Sequence, residues 1–239
     1  MDVGNPFFGG HEALVIFDRV FVPWERVFMY REYEFAGPLV EKFASYHRQS
    51  YACKVGVGDV LIGAAQTIAE YNGAAGASHI KDKIIEMNQL NETLYCGCLA
   101  CASEGHKEPS GTYCVNILLA NVHKQNITRF PYEISRLAQD IAGGLMVTLP
   151  SEADLRSPEV GAWLHKYYKG IDDVSTEDRI RILRLIENIT LGTAAVGYLT
   201  ESMHGAGSPQ AQRIMISRQV NIKEKQKAAK RLSGVKEEG

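Results

Sequence analysis

The sequence has no excess of charge of either sign. Its 26 Lys and Arg stand against 28 Asp and Glu, a net −2, which excludes a general nucleic-acid binder with a basic footprint. Five cysteines are an odd number, so a disulfide framework is not indicated. They read as reduced thiols, ligands or small apolar fillers. No uninterrupted apolar run reaches about 18 residues, and no signal-peptide pattern opens the chain. The expectation is therefore a cytoplasmic protein with neither membrane nor nucleic acid as partner, in which the sequons at Asn126 and Asn188 carry no meaning. There is no internal repeat and no low-complexity linker.

What is present is a chain of 239 residues with 45% apolar and 23% charged content, enough to bury a real core. Residues 12–23 read as strand: an apolar run, a turn-like Asp18-Arg19, a second apolar run and a closing proline. One or two strands do not make a stable sheet. This stretch is expected to be the end of a sheet whose other strands lie elsewhere. From about residue 36 nearly everything reads as helix. A long helix is predicted over 39–72, with Gly56, Gly58, Gly63, Ala64 and Ala65 permitting close packing. A second starts at Ser78 and carries the stripe Ile80, Ile84, Met87, Asn91, Leu94, Cys98, Cys101. That stripe makes Cys98 and Cys101 core fillers in preference to metal ligands.

Further helices are expected over 113–123, up to a break at 128–131, and then on to the Gly143-Gly144 pair. A short one covers about 157–169. Another follows the Ser175-Thr-Glu-Asp178 capping box and reaches Glu201 with Ile182, Ile186, Ile189, Thr193 and Val196 on one face. A last one covers 210–232. Its basic residues 223–231 read as a solvated helix end; a contact to an anionic ligand or a neighbouring subunit is the minor alternative. Long helices with short joints make a mainly α, up-and-down bundle.

The densest chemistry lies in Tyr46-His-Arg-Gln-Ser-Tyr-Ala-Cys-Lys54. At about 100° per residue, His47, Tyr51 and Lys54 share one helix face within about 40°. A base or ligand, a phenol and an ammonium can transfer protons there. A His–Tyr hydrogen bond inside a bundle, with Lys54 in solvent, is the plainer alternative. Glu12 and Glu201, taken alone, read as surface carboxylates. The Gly-rich residues 205–207 let a ligand approach backbone.

Four stretches together resemble the dehydratase branch of the 4-hydroxyphenylacetate 3-hydroxylase family, flavoproteins with the acyl-CoA dehydrogenase fold. They are His47-Arg-Gln-Ser-Tyr51, Asn121-Val-His-Lys-Gln-Asn-Ile-Thr-Arg-Phe-Pro-Tyr-Glu133, Ala142-Gly-Gly-Leu-Met-Val-Thr-Leu-Pro-Ser-Glu152 and Glu201-Ser-Met-His-Gly-Ala-Gly-Ser-Pro-Gln-Ala-Gln212. The resemblance spans nearly the whole chain but only the C-terminal half of the family. It implies the end of a middle β domain over residues 1–29 and a C-terminal helical bundle over 30–239. The implied activity is elimination of water from 4-hydroxybutyryl-CoA to crotonyl-CoA, with isomerisation of vinylacetyl-CoA, on FAD and a [4Fe-4S] cluster.

The implied catalytic residues are His47, Tyr51, Lys54, Glu12 and Glu201, with His47 and Cys53 as cluster ligands. Gln139, Gly143 and Gly144 match the stretch that holds FAD across a subunit interface, and Ala206 and Gly207 the backbone beside Glu201. The implied partners are an acyl-CoA substrate, a separate N-terminal half supplying the other cluster cysteines, and further copies in a dimer or tetramer. One departure stands out. Cys53 follows His47 by six residues where the family has seven, so a regular helix turns it about 120° away and puts Lys54 on the histidine's face. A π-bulge would restore the register. Two readings stand beside the dehydratase: a cluster-free relative, isomerase or aromatic-ring hydroxylase, and a non-catalytic bundle subunit.

Overall fold

A computed structural model describes residues 13–235; Glu12 lies outside them. Four helices make the core. They are α2 (Cys53–Tyr71), α3 (Ser78–Ser103), α5 (Phe130–Ala142) and α8 (Thr176–Thr190), each packed on at least two of the others. Leu61 and Ile68 of α2, Met87 of α3, Ile134 and Leu137 of α5 and Leu183 and Ile186 of α8 meet at its centre, all essentially inaccessible. Each such side chain contributes about 1.5–3 kcal/mol by leaving water. On the side of this bundle, α1 (Ala36–Ser50) and α11 (Pro209–Gln219) pack on α4 (Ile117–Ile127). Short helices α6 (Glu152–Leu155) and α7 (Gly161–Tyr167) bridge to α8. After it come α9 (Thr193–Ala195), a π-helical turn at Val196–Thr200, α10 (Glu201–His204) and, beyond α11, α12 (Ile222–Ser233).

The mainly α bundle is as expected, and so is the α3 stripe, where Ile80, Met87, Asn91, Leu94 and Cys101 are buried. Ser175 caps α8, its hydroxyl accepting from the Asp178 amide at 3.1 Å. Small residues on α2 do admit a neighbour. A Cβ at Gly58 would collide with the Asn91 amide, which is held in place by donating to the Val55 carbonyl at 3.1 Å and to Asp59 at 2.8 Å.

Several elements differ from the sequence reading. The expected strands are absent over the described part of 12–23. Residues 13–23 form no ladder, and Leu14, Phe17 and Phe21 are more than 75% exposed. A strand needs a neighbour to take its amides, and none pairs with this stretch. The helix expected over 113–123 begins only at Ile117, because Tyr113–Cys114 pairs antiparallel with His106–Lys107.

The helix expected over 39–72 breaks at Tyr51-Ala52, and the one expected to reach Glu201 breaks at Leu191-Gly192. The buried face of α8 runs through Thr176, Ile180, Leu183, Ile186 and Thr190, leaving Val196 exposed. The short helix expected over 157–169 is α7, Gly161–Tyr167, and the last helix is two, α11 and α12. By length and mean hydropathy alone, the helical stretch Tyr33–Tyr71 would be long and apolar enough to cross a membrane, although it is interrupted at Tyr51-Ala52. Its second half is α2, the centre of the bundle, which accounts for its composition.

The Gly58 contact carries a test. Gly58→Ala should lower stability by about 1–3 kcal/mol, since Asn91 has no free direction in which to yield. Urea denaturation of both proteins measures it, and an unchanged midpoint would show that α2 and α3 are not packed this closely.

Candidate active site

The site is built where α1 gives way to α2. The chain tightens there through i→i+3 bonds: Ala52 N to Gln49 O at 3.2 Å, Lys54 N to Tyr51 O at 3.0 Å and Val55 N to Ala52 O at 2.9 Å. In such a turn residues i and i+3 eclipse, so Tyr51 and Lys54 point the same way. Both are buried, and both reach Glu201. The Tyr51 hydroxyl donates to Oε1 at 3.1 Å, and the Lys54 ammonium donates to Oε2. The carboxylate keeps 30% of its side chain open to solvent while the lysine side chain keeps 9%, so the group is sealed behind and open in front.

Glu201 is delivered by an irregular backbone. A π-helical turn precedes it, and a left-handed pair follows, Ala206 at φ +56° and Gly207 at φ +97°. Gly205 has no substitute: a Cβ there would overlap the Tyr51 hydroxyl. Side chains from other helices tie this turn down. Arg48 Nε donates to Ala206 O at 3.1 Å and Gln212 Nε2 to Gly207 O at 2.9 Å. From α4 the fully buried Lys124 donates to Ser202 O, its ammonium 4.5 Å from the Tyr51 ring centre.

Burial lowers Lys124 to about 8, partly opposed by the Glu201 charge and reinforced by Arg48 and Lys54. Beside it His123 is 1% exposed. Burial, then the Lys124 charge, hold it down to about 4.

His47 is half-buried. Its ring stacks on Tyr51 at 5.4 Å and meets Phe43 at 5.6 Å, beside a shallow, open surface of Phe43, Tyr46 and Ser50. Sequence spacing thus grouped His47, Tyr51 and Lys54 correctly as neighbours. Lys54 in solvent, the plainer alternative, is not what forms, and Glu201 is no surface carboxylate. Cys53 is exposed on the first turn of α2, and no π-bulge brings it to His47's face. Ala206 joins the site by packing on Tyr51, Leu94 and Ile127. Gln139, Gly143 and Gly144 do not join it. They lie towards the far end of α5, Gln139 about 14 Å and Gly143-Gly144 about 20 Å along the helix from Phe130, which packs on Tyr51. Lys124 and Arg48 were not singled out from sequence, and Gly205 only as backbone that a ligand could approach. Lys124 had a visible signal, a charge between Ala120 and Ile127 on one helical stripe.

A [4Fe-4S] cluster takes four ligands. The described residues hold no group of three or more His, Cys, Asp or Glu side chains arranged for a metal, so this half does not fit a cluster by itself. A flavin fits better at Gly143-Gly144. Gly143 has φ +76°, both glycines are exposed, and a Cβ at either would meet nothing within 4 Å, leaving backbone open to a large ligand.

Folded His123 gains its proton only near pH 4, whereas the unfolded chain gains it from about 6.5. Stability is therefore lost as pH falls across that window, by on the order of 3 kcal/mol. His123→Gln should flatten this limb of the stability–pH curve in urea titrations at pH 7, 5.5 and 4.5; an unchanged limb would mean that His123 is not buried neutral.

The family HpaB, 4-hydroxyphenylacetate 3-hydroxylase C terminal, matches residues 36–234. The chain is 61% identical, over 99% of its length, to the 4-hydroxybutyryl-CoA dehydratase/vinylacetyl-CoA-Delta-isomerase of Clostridium aminobutyricum, and covers 50% of that protein. The solved oxygen-tolerant archaeal 4-hydroxybutyryl-CoA dehydratase from N. maritimus superposes with a TM-score of 0.96 at 63% identity, over 99% of this chain and 47% of that one. The oxygenase component of 4-hydroxyphenylacetate 3-monooxygenase from Thermus thermophilus is 26% identical over 75% of this chain and 38% of its own. At 24% identity, the HpaB structure complexed with FAD and 4-hydroxyphenylacetate shares the fold, with a TM-score of 0.80 over 91% of this chain and 47% of that one. The chain spans about half the length of the relatives it matches, and it belongs to the 4-hydroxyphenylacetate 3-hydroxylase family as a C-terminal helical domain.

Proposed function

We propose that this chain is the C-terminal part of a dehydratase acting on 4-hydroxybutyryl-CoA to give crotonyl-CoA, with vinylacetyl-CoA isomerase activity, and that an N-terminal half completes it. The carrying observation is the Glu201 carboxylate held at one oxygen by Tyr51 and at the other by Lys54. The relative 61% identical to the chain bears this activity in its name, which supports the reading. Residues 1–29 are taken as the end of a β domain and 30–239 as the bundle. The exposed apolar side chains from Leu14 to Phe43 are the surface the N-terminal half would cover. A cytoplasmic location and a homodimer or tetramer belong to the same reading.

Lys54 holds Glu201 Oε2 in place, which leaves Oε1 and the Tyr51 hydroxyl as the path for a proton. A proton leaving a substrate carbon passes to this pair. The same pair can return one to the departing hydroxide, so that water leaves and the site is reset. His47, stacked on Tyr51 and facing the open surface, offers a ring nitrogen for a second proton; Glu12 is proposed as a further acid–base group. Gln139, Gly143 and Gly144 would hold FAD, with Ala206 and Gly207 offering backbone near Glu201. When bound, the flavin supplies one-electron chemistry that eases removal of an unactivated hydrogen. No step is assigned to the iron–sulfur cluster, for which His47 and Cys53 are this half's candidate ligands and the N-terminal half would supply the rest.

One observation favours a second reading. Lys54 is buried against Tyr51 and Glu201 while Cys53 is exposed, which leaves this stretch without the inward thiol that a cluster would need.

The test is to produce the chain with the N-terminal half of a close relative and assay 4-hydroxybutyryl-CoA, vinylacetyl-CoA and 4-hydroxyphenylacetate, alongside flavin, iron and sulfide content. Crotonyl-CoA from 4-hydroxybutyryl-CoA, with Tyr51→Phe and Glu201→Gln slower by about 10²–10⁴-fold, is expected. Iron-free protein active only on vinylacetyl-CoA would establish the second reading, and hydroxylation of 4-hydroxyphenylacetate would refute both.

A further inference from the structure

The bundle keeps one ammonium completely out of water. Lys124 has no accessible surface, and its protein acceptor is the Ser202 carbonyl. A cation in that position is costly, and an apolar side chain of similar volume is often neutral or better for stability. The neighbours of Lys124 show what it serves. Its acceptor follows Glu201 directly in sequence, and its charge lies over the ring of Tyr51, the residue that donates to Glu201. The turn it holds has little regularity of its own, being entered through a π-helical turn and left through two residues of positive φ.

We propose that Lys124 is a positioning residue that reaches in from α4 to lock the turn of residues 201–207, aiming the Glu201 carboxylate at Tyr51 and Lys54. This deepens the proposed function and rests on Glu201 being the reacting carboxylate. The geometry divides the work between three helices. Arg48 from α1 fixes Ala206, Gln212 from α11 fixes Gly207, and Lys124 fixes the backbone adjoining the carboxylate itself. Lys124 also lies over the Tyr51 ring, so it bears on both partners of that hydrogen bond at once. Burial lowers Lys124 towards 8, with Glu201's charge working against that; at neutral pH it remains a donor.

The test uses Lys124→Met and Lys124→Arg in the chain produced with an N-terminal half. Amide hydrogen exchange, melting temperature and steady-state kinetics are read on each. In Lys124→Met, amides of residues 203–207 should exchange about 10-fold faster while α2, α5 and α8 are unchanged, because only a local opening is eased. The melting temperature should not fall. The kcat should drop by about 10–100-fold with KM within about threefold, as expected when a reacting group is misplaced. Lys124→Arg should recover part of both the exchange protection and kcat. A turn that exchanges as in the unsubstituted protein overturns the proposal. So does a lowered melting temperature with faster exchange throughout, the mark of a lysine that only supports the fold. If the unsubstituted protein has no dehydratase or isomerase activity, the proposed function fails, and the exchange data still decide whether Lys124 locks the turn.

Discussion

A carboxylate with two donors, one on each oxygen, is the arrangement that the rest of this helical domain serves. For Tyr51 and Lys54 to reach Glu201 together, the helix carrying them must tighten at Tyr51-Ala52, and the chain carrying Glu201 must arrive through a π-helical turn. Gly205 must lack a side chain so that the phenol can fit beneath it. None of these local features is favourable in isolation. They persist because the four-helix core fixes the ends of every segment involved, and because Arg48, Lys124 and Gln212 take up the turn's carbonyls.

The charge balance of the site follows from the same packing. Three cations, Arg48, Lys54 and Lys124, surround one carboxylate. Two of them are spent on backbone carbonyls, and only Lys54 pairs with Glu201 directly. Burial makes the cluster tense: Lys124 is driven towards losing its proton, and His123 beside it does not accept one above about 4. Such perturbed groups gather where chemistry is done, although structural networks also produce them. Here the groups that anchor the turn are also the groups that set its field.

The two cofactor expectations fare differently for a geometric reason. A flavin can lie on exposed backbone, and Gly143-Gly144 offers it. A cluster demands several ligands converging on one point, and Cys53 is exposed on the first turn of α2 while the next residue, Lys54, is the one that turns inward. Lys54 takes the inward place and pairs with Glu201 beside Tyr51.

Local periodicity was legible. The α3 stripe from Ile80 to Cys101, the Ser175 cap and the shared face of His47, Tyr51 and Lys54 all follow from spacings of three, four and seven, which depend on helix geometry alone. The family resemblance rested on motifs that are equally local. What tertiary structure decided was non-local. Tyr51 and Glu201 are 150 residues apart, and no pattern in either neighbourhood names the other as its partner. The apolar run after Ala13 looked like strand but needs a ladder partner that the bundle does not offer. The helix break at residues 51–52 falls in sequence of ordinary helical propensity, where packing of the flanking segments outweighs the small local preference, whereas the break at 191–192 falls on Gly192, a poor helix former. The sequence by itself determined which residues could share a helix face and which helices had a core side. Only the folded chain decided that Lys124 would be buried and that Glu201 would be held between two donors, because both depend on elements brought together across the bundle.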